Sequence, residues 1–194
     1  HYVDNNFDLA GFSVGCVDEN KIITNTNVNA GNVLIGIESS GPHSNGFSLI
    51  RKIIKNSNVN VEEKEKIAKK ALIPTTLYPK LVLDLIDNEN INSLAHITGG
   101  GLTENLPRSI SDDLSINIYT DSWEFPDIFK WIEKHGDISK NDMLRIFNCG
   151  IGMAVFVDKN NADKISERIS KLGYKNFVIG ELTKKNSTDS VVYF

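Results

Sequence analysis

Short apolar runs bounded by glycine recur along this chain, and they alternate with longer segments that carry a helical stripe. Val33-Leu34-Ile35-Gly36-Ile37, Ile151 to Val157 and Phe177 to Leu182 are too short for core helices and rich in β-branched residues, which predicts buried strands. Gly11-Phe12-Ser13-Val14-Gly15-Cys16-Val17 has the same character and is predicted as a further buried strand. Leu94 to Ile97 is a short strand candidate, Leu114 to Tyr119 alternates like a half-buried strand, and Ser190 to Tyr193 suits an edge. Between them lie amphipathic helices. One runs from a Ser44 cap through about Lys55, with Phe47, Ile50 and Ile54 inward. Others are Glu62 to Ala71, a helix opened by Pro79 with Leu81, Val82, Leu85 and Ile86, and a short one ending near Pro107. Pro126 to Lys134, Asn141 to Phe147 and Ala162 to Leu172, stopped by Gly173, complete the set. Strands and helices mixed without strict alternation predict one layered α/β (α+β) domain and disfavour a bundle or a sandwich.

Composition limits the function classes. Of 194 residues, 40% are hydrophobic, enough for a core without disulfide staples. The formal net charge is -4 and the densest run, Glu62 to Lys70, mixes both signs, as a solvated helix face does. Nucleic-acid binding would need clustered positive charge, and a membrane span about 18 consecutive apolar residues; the sequence has neither. Cys16 and Cys149 lack metal-ligand spacing and read as reduced cysteines of a cytoplasmic protein. Trp123 and Trp131 read as packing anchors. His1 in place of methionine marks the sequence as a processed or partial chain.

Three segments carry chemistry. Ser39-Ser40-Gly41-Pro42-His43-Ser44-Asn45-Gly46 joins a buried strand to a helix N-terminus, where free N–H groups and the helix dipole favour anions. Ser44, Ser48 and Arg51 are spaced to share one helix face, with hydroxyls and a guanidinium for a phosphate. The same pattern also suits a plain strand–turn–helix connection. Thr98-Gly99-Gly100-Gly101 offers a second anion nest or a flexible turn. Phe147-Asn148-Cys149-Gly150-Ile151-Gly152-Met153 has glycines at alternate positions, which suits close backbone packing or ligand approach. His43 is the more functional of the loop histidines on this reading, and His96 a packing residue. No carboxylate cluster suited to Mg²⁺ and no Ser-His-Asp order stands out, so the chain reads as half of an active site.

Gly41-Pro42-His43-Ser44-Asn45-Gly46-Phe47-Ser48-Leu49-Ile50-Arg51-Lys52, then Thr98 to Gly101, then Phe147 to Met153, resemble the phosphoribosylformylglycinamidine cyclo-ligase (aminoimidazole ribonucleotide synthetase) family in order and in residues. Asp8-Leu9-Ala10-Gly11-Phe12, Leu72-Ile73-Pro74-Thr75 before Tyr78, and Glu104-Asn105-Leu106-Pro107-Arg108 extend the likeness end to end. That superfamily also holds formylglycinamidine ribonucleotide synthetase, selenophosphate synthetase, thiamine-phosphate kinase and a hydrogenase-maturation protein. The resemblance implies that residues 1–194 are the family's C-terminal domain, an α/β/α-type layered fold with partly ferredoxin-like topology. It implies an ATP-dependent enzyme of purine biosynthesis that closes formylglycinamidine ribonucleotide to aminoimidazole ribonucleotide. It further implies a cytoplasmic homodimer, with ATP and Mg²⁺ held mainly by an N-terminal domain this chain lacks. Gly41, His43, Ser44, Asn45, Gly46, Ser48, Arg51, Thr98, Gly99, Gly100, Gly101 and Asn148 are the expected substrate- and phosphate-binding residues, and no general base is identified. The rival expectation is a stand-alone phosphate- or nucleotide-binding module without catalysis.

Overall fold

The computed structural model describes residues 10–186 and 188–194; Asp8 and Leu9 of the resemblance fall outside them. Six strands form one mixed sheet in the order β2-β4-β1-β5-β3-β6. They are β1 (Val33–Glu38), β2 (Ser93–His96), β3 (Leu114–Ile118), β4 (Ile151–Val157), β5 (Asn176–Lys184) and β6 (Val191–Tyr193). Every pairing is antiparallel except β3 with β6. The helices are α1 (Phe47–Asn56), α2 (Val61–Ala71), α3 (Pro79–Asn88), α4 (Gly101–Asn105), α5 (Asp127–Gly136), α6 (Lys140–Ile146) and α7 (Ala162–Lys171).

The period of two along each strand divides the core. Leu34, Ile116, Ile118, Ala154 and Phe156 point to one face, where Ile50 and Ile53 of α1, Phe129 and Ile132 of α5, and Met143 and Leu144 of α6 cover them. Val33, Ile35, Ile37, Val155 and Val157 point to the other, against Leu81 and Leu85 of α3 and Ile165 and Ile169 of α7. The result is the expected three-layer α/β/α domain. The covering helices carry stripes that match these faces, and Pro79 opens α3 as its missing N–H requires.

Three expectations need correction. Residues 11–17 form no strand: the whole stretch is exposed, with Phe12 98% and Val14 101% accessible. Strand propensity is satisfied only against a partner, and neither edge of this sheet takes the segment. Second, α1 begins at Phe47, with Gly46 rather than Ser44 at its N-cap position and no side chain capping it. The chain turns through the left-handed region at His43 (φ 50), Ser44 (φ 60) and Gly46 (φ 72), and the Ser44 side chain does not cap the helix. Third, β3 is buried more fully than its alternation predicts, because it lies between β5 and β6. Ser115 tolerates this by donating its hydroxyl to Asp189 O at 2.9 Å.

The antiparallel pairing decides where function can sit. The C-terminal ends of β1, β2, β3 and β6 and the N-terminal ends of β4 and β5 all lie at one end of the sheet. All three glycine-bearing segments emerge there. Leu34 in central β1 is fully buried. Leu34→Ala is expected to destabilise the domain by about 2–5 kcal/mol through a core cavity; urea unfolding followed by circular dichroism measures it, and a loss below ~1 kcal/mol would contradict this account of the core.

Candidate functional site

Two left-handed non-glycine residues in succession, His43 and Ser44, each cost about 1 kcal/mol or more, so their surroundings must hold the β1–α1 loop in place. Two buried side chains do this. Asn148 Oδ1 accepts from Ser39 Oγ (3.0 Å) and from Gly150 N–H (2.9 Å), while Asn148 Nδ2 donates to Gly41 O (2.8 Å). His43, 4% exposed, accepts at Nε2 from the backbone N–H of Ser40 (3.1 Å) and of Thr76 (3.2 Å). Asn45 Nδ2 closes the turn on His43 O at 2.7 Å. The α2–α3 connection is thereby pinned to the loop, and Ser40 Oγ adds a 2.7 Å bond to Pro74 O.

The second glycine segment is clamped by Asn105, whose Nδ2 donates to Gly101 O (2.8 Å) and Gly99 O (3.1 Å). Its Oδ1 accepts from Thr98 Oγ1 at 3.2 Å. The three segments then meet around Phe147. A Cβ on Gly46 would stand 2.3 Å from the Phe147 ring, and one on Gly101 would stand 2.1 Å from Leu144 O and 2.6 Å from Phe147 O. Both glycines also have positive φ, so no other residue fits at either place. Gly99 lies against Asn45, with a Cβ position 3.3 Å from Asn45 Oδ1, which brings the first two loops together.

The three glycine segments therefore converge, while the expected site residues divide by exposure. Ser44, Ser48, Arg51 and Gly99 are exposed, and Asn45, Gly46, Thr98 and Gly100 half-buried; Ser44 precedes α1 in left-handed backbone and so does not share the helix face of Ser48 and Arg51, and no side chain caps that helix. Gly41, His43, Gly101 and Asn148 are buried. His43 and Asn148 make most of their hydrogen bonds to backbone and are buried, so they shape the site rather than line it. The histidines differ in exposure: His43 is buried, and His96, expected as a packing residue, is exposed at the end of β2, edge-on to Tyr78 at 6.2 Å between ring centroids. Tyr78, Thr76 and Asn105 are parts of the site that residue patterns did not single out. Tyr78 donates to Glu38 O at 2.8 Å and fills the space above Gly152, so the glycine spacing in Gly150-Ile151-Gly152 was the signal for it.

Electrostatics agree with a shaping role for His43. Two N–H groups point at Nε2, which leaves the ring proton on Nδ1, and that atom is buried without a partner. Burial first, then the nearby His96, holds the His43 pKa down at about 4, from a usual 6.5. The Tyr78 hydroxyl and the Cys149 thiol are pushed up, chiefly by burial, so both stay protonated near neutrality. Trp123 seals the third segment, donating Nε1–H to Cys149 O at 3.0 Å. Cys16 and Cys149 are both free thiols. Among the described residues no three His, Cys, Asp or Glu side chains lie together as a metal site.

A three-layer α/β domain with converging Gly-rich loops at one sheet end matches known proteins. Residues 29–193 match the family described as AIR synthase related protein, C-terminal domain, and the chain belongs to that family. It is 42% identical over 186 residues to the chloroplastic phosphoribosylformylglycinamidine cyclo-ligase of Arabidopsis thaliana, covering 93% of this chain and 48% of that protein. It is 42% identical over 189 residues to the phosphoribosylformylglycinamidine cyclo-ligase of Citrifermentans bemidjiense, covering 94% and 54%. The chain thus spans about half the length of the curated relatives it matches. Among solved structures, the fold is shared with E. coli HypE, a hydrogenase maturation protein (TM-score 0.64, 16% identity, 92% of this chain and 50% of that one). It is shared also with thiamine-monophosphate kinase from Stenotrophomonas maltophilia (TM-score 0.61, 14% identity, 91% and 54%).

Two outcomes follow from the clamps. His43 is neutral in the fold and protonates at about pH 6.5 when unfolded, so the unfolded chain binds the extra proton between the two values. The stability it contributes is complete above about 6.5 and is lost as pH falls toward about 4, by up to ~3 kcal/mol. His43→Gln keeps an acceptor and cannot titrate there, so urea midpoints of the variant should fall less steeply across that range; parallel slopes would rule out His43 as the cause. Asn148→Ala should cost about 1–3 kcal/mol by stranding Gly41 O and Gly150 N–H, whereas Ser44→Ala should stay within about 0.5 kcal/mol in the same melts.

Proposed function

We propose that this chain is the C-terminal part of the purine-biosynthesis cyclo-ligase, which converts formylglycinamidine ribonucleotide and ATP to aminoimidazole ribonucleotide, ADP and phosphate. The observation that carries the reading is the meeting of all three glycine segments at one sheet end, around a helix N-terminus free of a side-chain cap. The names of the relatives at 42% identity support the same reaction.

In that reaction the formyl oxygen takes the γ-phosphoryl group of ATP, which turns a poor leaving group into phosphate. A nitrogen of the same substrate then attacks the activated carbon, the C–N bond closes the ring, and phosphate departs with the oxygen. This chain's task is placement and charge neutralisation. The first free N–H groups of α1, with the Ser44 and Ser48 hydroxyls and the Arg51 guanidinium, take a phosphate of the substrate. Asn45 and Thr98 line the adjoining loop, while His43 and Asn148 hold the backbone in the shape that aims those donors. Among the described residues, exposed His96 is an imidazole at this end open to substrate. ATP, with its Mg²⁺, is held mainly by the part of the relatives' length that this chain does not span. On this reading the working protein is a cytoplasmic homodimer that needs neither nucleic acid nor a membrane. No helix among the described residues is long and apolar enough to cross a membrane.

Arg51 lies exposed on α1, away from buried Ile50 and Ile53. In the intact gene product, Arg51→Ala should lower kcat/KM for ring closure about tenfold or more, with a melting temperature unchanged. The 194-residue chain alone should give no ATP-dependent aminoimidazole ribonucleotide. Turnover by the isolated chain, or an Arg51→Ala variant with unaltered kinetics, would refute this assignment.

A further inference from the structure

A short edge strand has little pairing of its own, and β6 is held by side chains as well. Ser115 Oγ donates to Asp189 O (2.9 Å) and Lys185 Nζ to Ser190 Oγ (2.9 Å). Thr120 gives both its N–H (2.9 Å) and its hydroxyl (2.7 Å) to Phe194 O. What β6 carries in return is Tyr193, in register with Ile118 and packed half-buried against the core beneath α6. Its hydroxyl stands 2.8 Å from Thr103 Oγ1.

Thr103 belongs to α4, the helix that starts at the last glycine of the second segment. Its hydroxyl also lies 3.4 Å from Leu144 O, a carbonyl that can only accept. The one Thr103 proton is thus directed to Leu144, and Tyr193 donates to Thr103. Burial pushes the Tyr193 hydroxyl up to about 12, so the donor keeps its proton. Leu144 O is also the carbonyl that leaves no room for a Cβ on Gly101. The relay from Tyr193 through Thr103 to Leu144 therefore clamps the start of α4 onto α6, the helix that runs into Phe147 and Asn148. At the other end of α6, Lys140 Nζ donates to Thr120 Oγ1 at 3.0 Å, so β6 holds this helix at both ends. Asn105, also on α4, clamps Gly99 O and Gly101 O, and a shift of α4 must carry the second segment with it.

We propose that Tyr193 is a positioning residue for ligand binding at the glycine segments: its hydroxyl, through Thr103, holds α4 on α6 and so sets Thr98 to Gly101 against Asn45 beside the N-terminus of α1. The inference rests on the reading that these segments bind the phosphorylated substrate of ring closure.

Steady-state kinetics of ring closure by the intact gene product test it. Tyr193→Phe removes one hydroxyl and keeps the ring. It should raise KM for formylglycinamidine ribonucleotide about fivefold, the worth of one hydrogen bond, with kcat within about twofold. Thr103→Val should do the same, and the double variant should be no worse than either single one, since all three break one relay. Thr103→Ser restores the hydroxyl and should return KM towards the wild-type value. Ser115→Ala weakens the hold on β6 without touching the relay, so KM should stay unchanged even where the melting temperature falls. Amide hydrogen exchange reads the placement without turnover. Residues 99–103 should exchange about tenfold faster in Tyr193→Phe and at the wild-type rate in Ser115→Ala. An unaltered KM in Tyr193→Phe, a double variant whose effects add, or a KM that rises equally in Ser115→Ala overturns the proposal. A wild-type protein that closes no ring refutes the proposed reaction instead; exchange at 99–103 then decides the tie, and an unchanged rate in Tyr193→Phe overturns it.

Discussion

Asn148 joins segments more than a hundred residues apart, and the arrangement of the site depends on those three hydrogen bonds. Its amide satisfies Gly41 O from one loop and Gly150 N–H from another in a place that water does not reach, where an unpaired group of either kind is expensive. His43 performs the matching task on the other side of the loop, accepting two backbone N–H groups that would otherwise be stranded. With both in place, the left-handed backbone at His43 and Ser44 is stable, and α1 starts beside Asn45, against which Gly99 of the neighbouring Gly-rich loop lies. The acid sensitivity of His43 is a cost of this arrangement: the imidazole works as an acceptor only while neutral.

The glycines follow from the same packing. Phe147 sits at the junction of the three loops and leaves no room for a Cβ at Gly46, while the carbonyls of Leu144 and Phe147 exclude one at Gly101. Sequence reading took these glycines as anion-friendly backbone. The structure adds a steric reason that would hold without any ligand, so glycine alone is weak evidence of binding. Stronger support for a binding role comes from what is left over after packing is satisfied: exposed Ser44, Ser48 and Arg51 beside an uncapped helix start.

Residues 11–17 show the limit of local pattern in the opposite direction. Their β-branched, glycine-bounded character is as strong as that of β1, yet β1 has antiparallel partners on both sides and this segment has none among the described residues. Strand formation is a property of a pair, and the pair cannot be read from one member. The histidines fail for a related reason. His43 in a polar loop resembles a reactive residue and His96 in a strand resembles a packed one, but burial is set by neighbours distant in sequence: Tyr78, Thr76 and Gly152 for the first, and a sheet end open to solvent for the second.

Sequence by itself determined the kinds of element and their order, the three-layer class, and the three segments where chemistry gathers. Those depend on periodicity, on proline and glycine geometry, and on the likeness of whole motifs to a family, all of which are local. Tertiary structure alone decided which loop residues face solvent and which are consumed as clamps, and that a strand-like segment stands unpaired. Those outcomes depend on hydrogen bonds and packing closed over long stretches of chain, such as Asn148 to Gly41 and Phe147 to Gly46, whose partners no local pattern specifies.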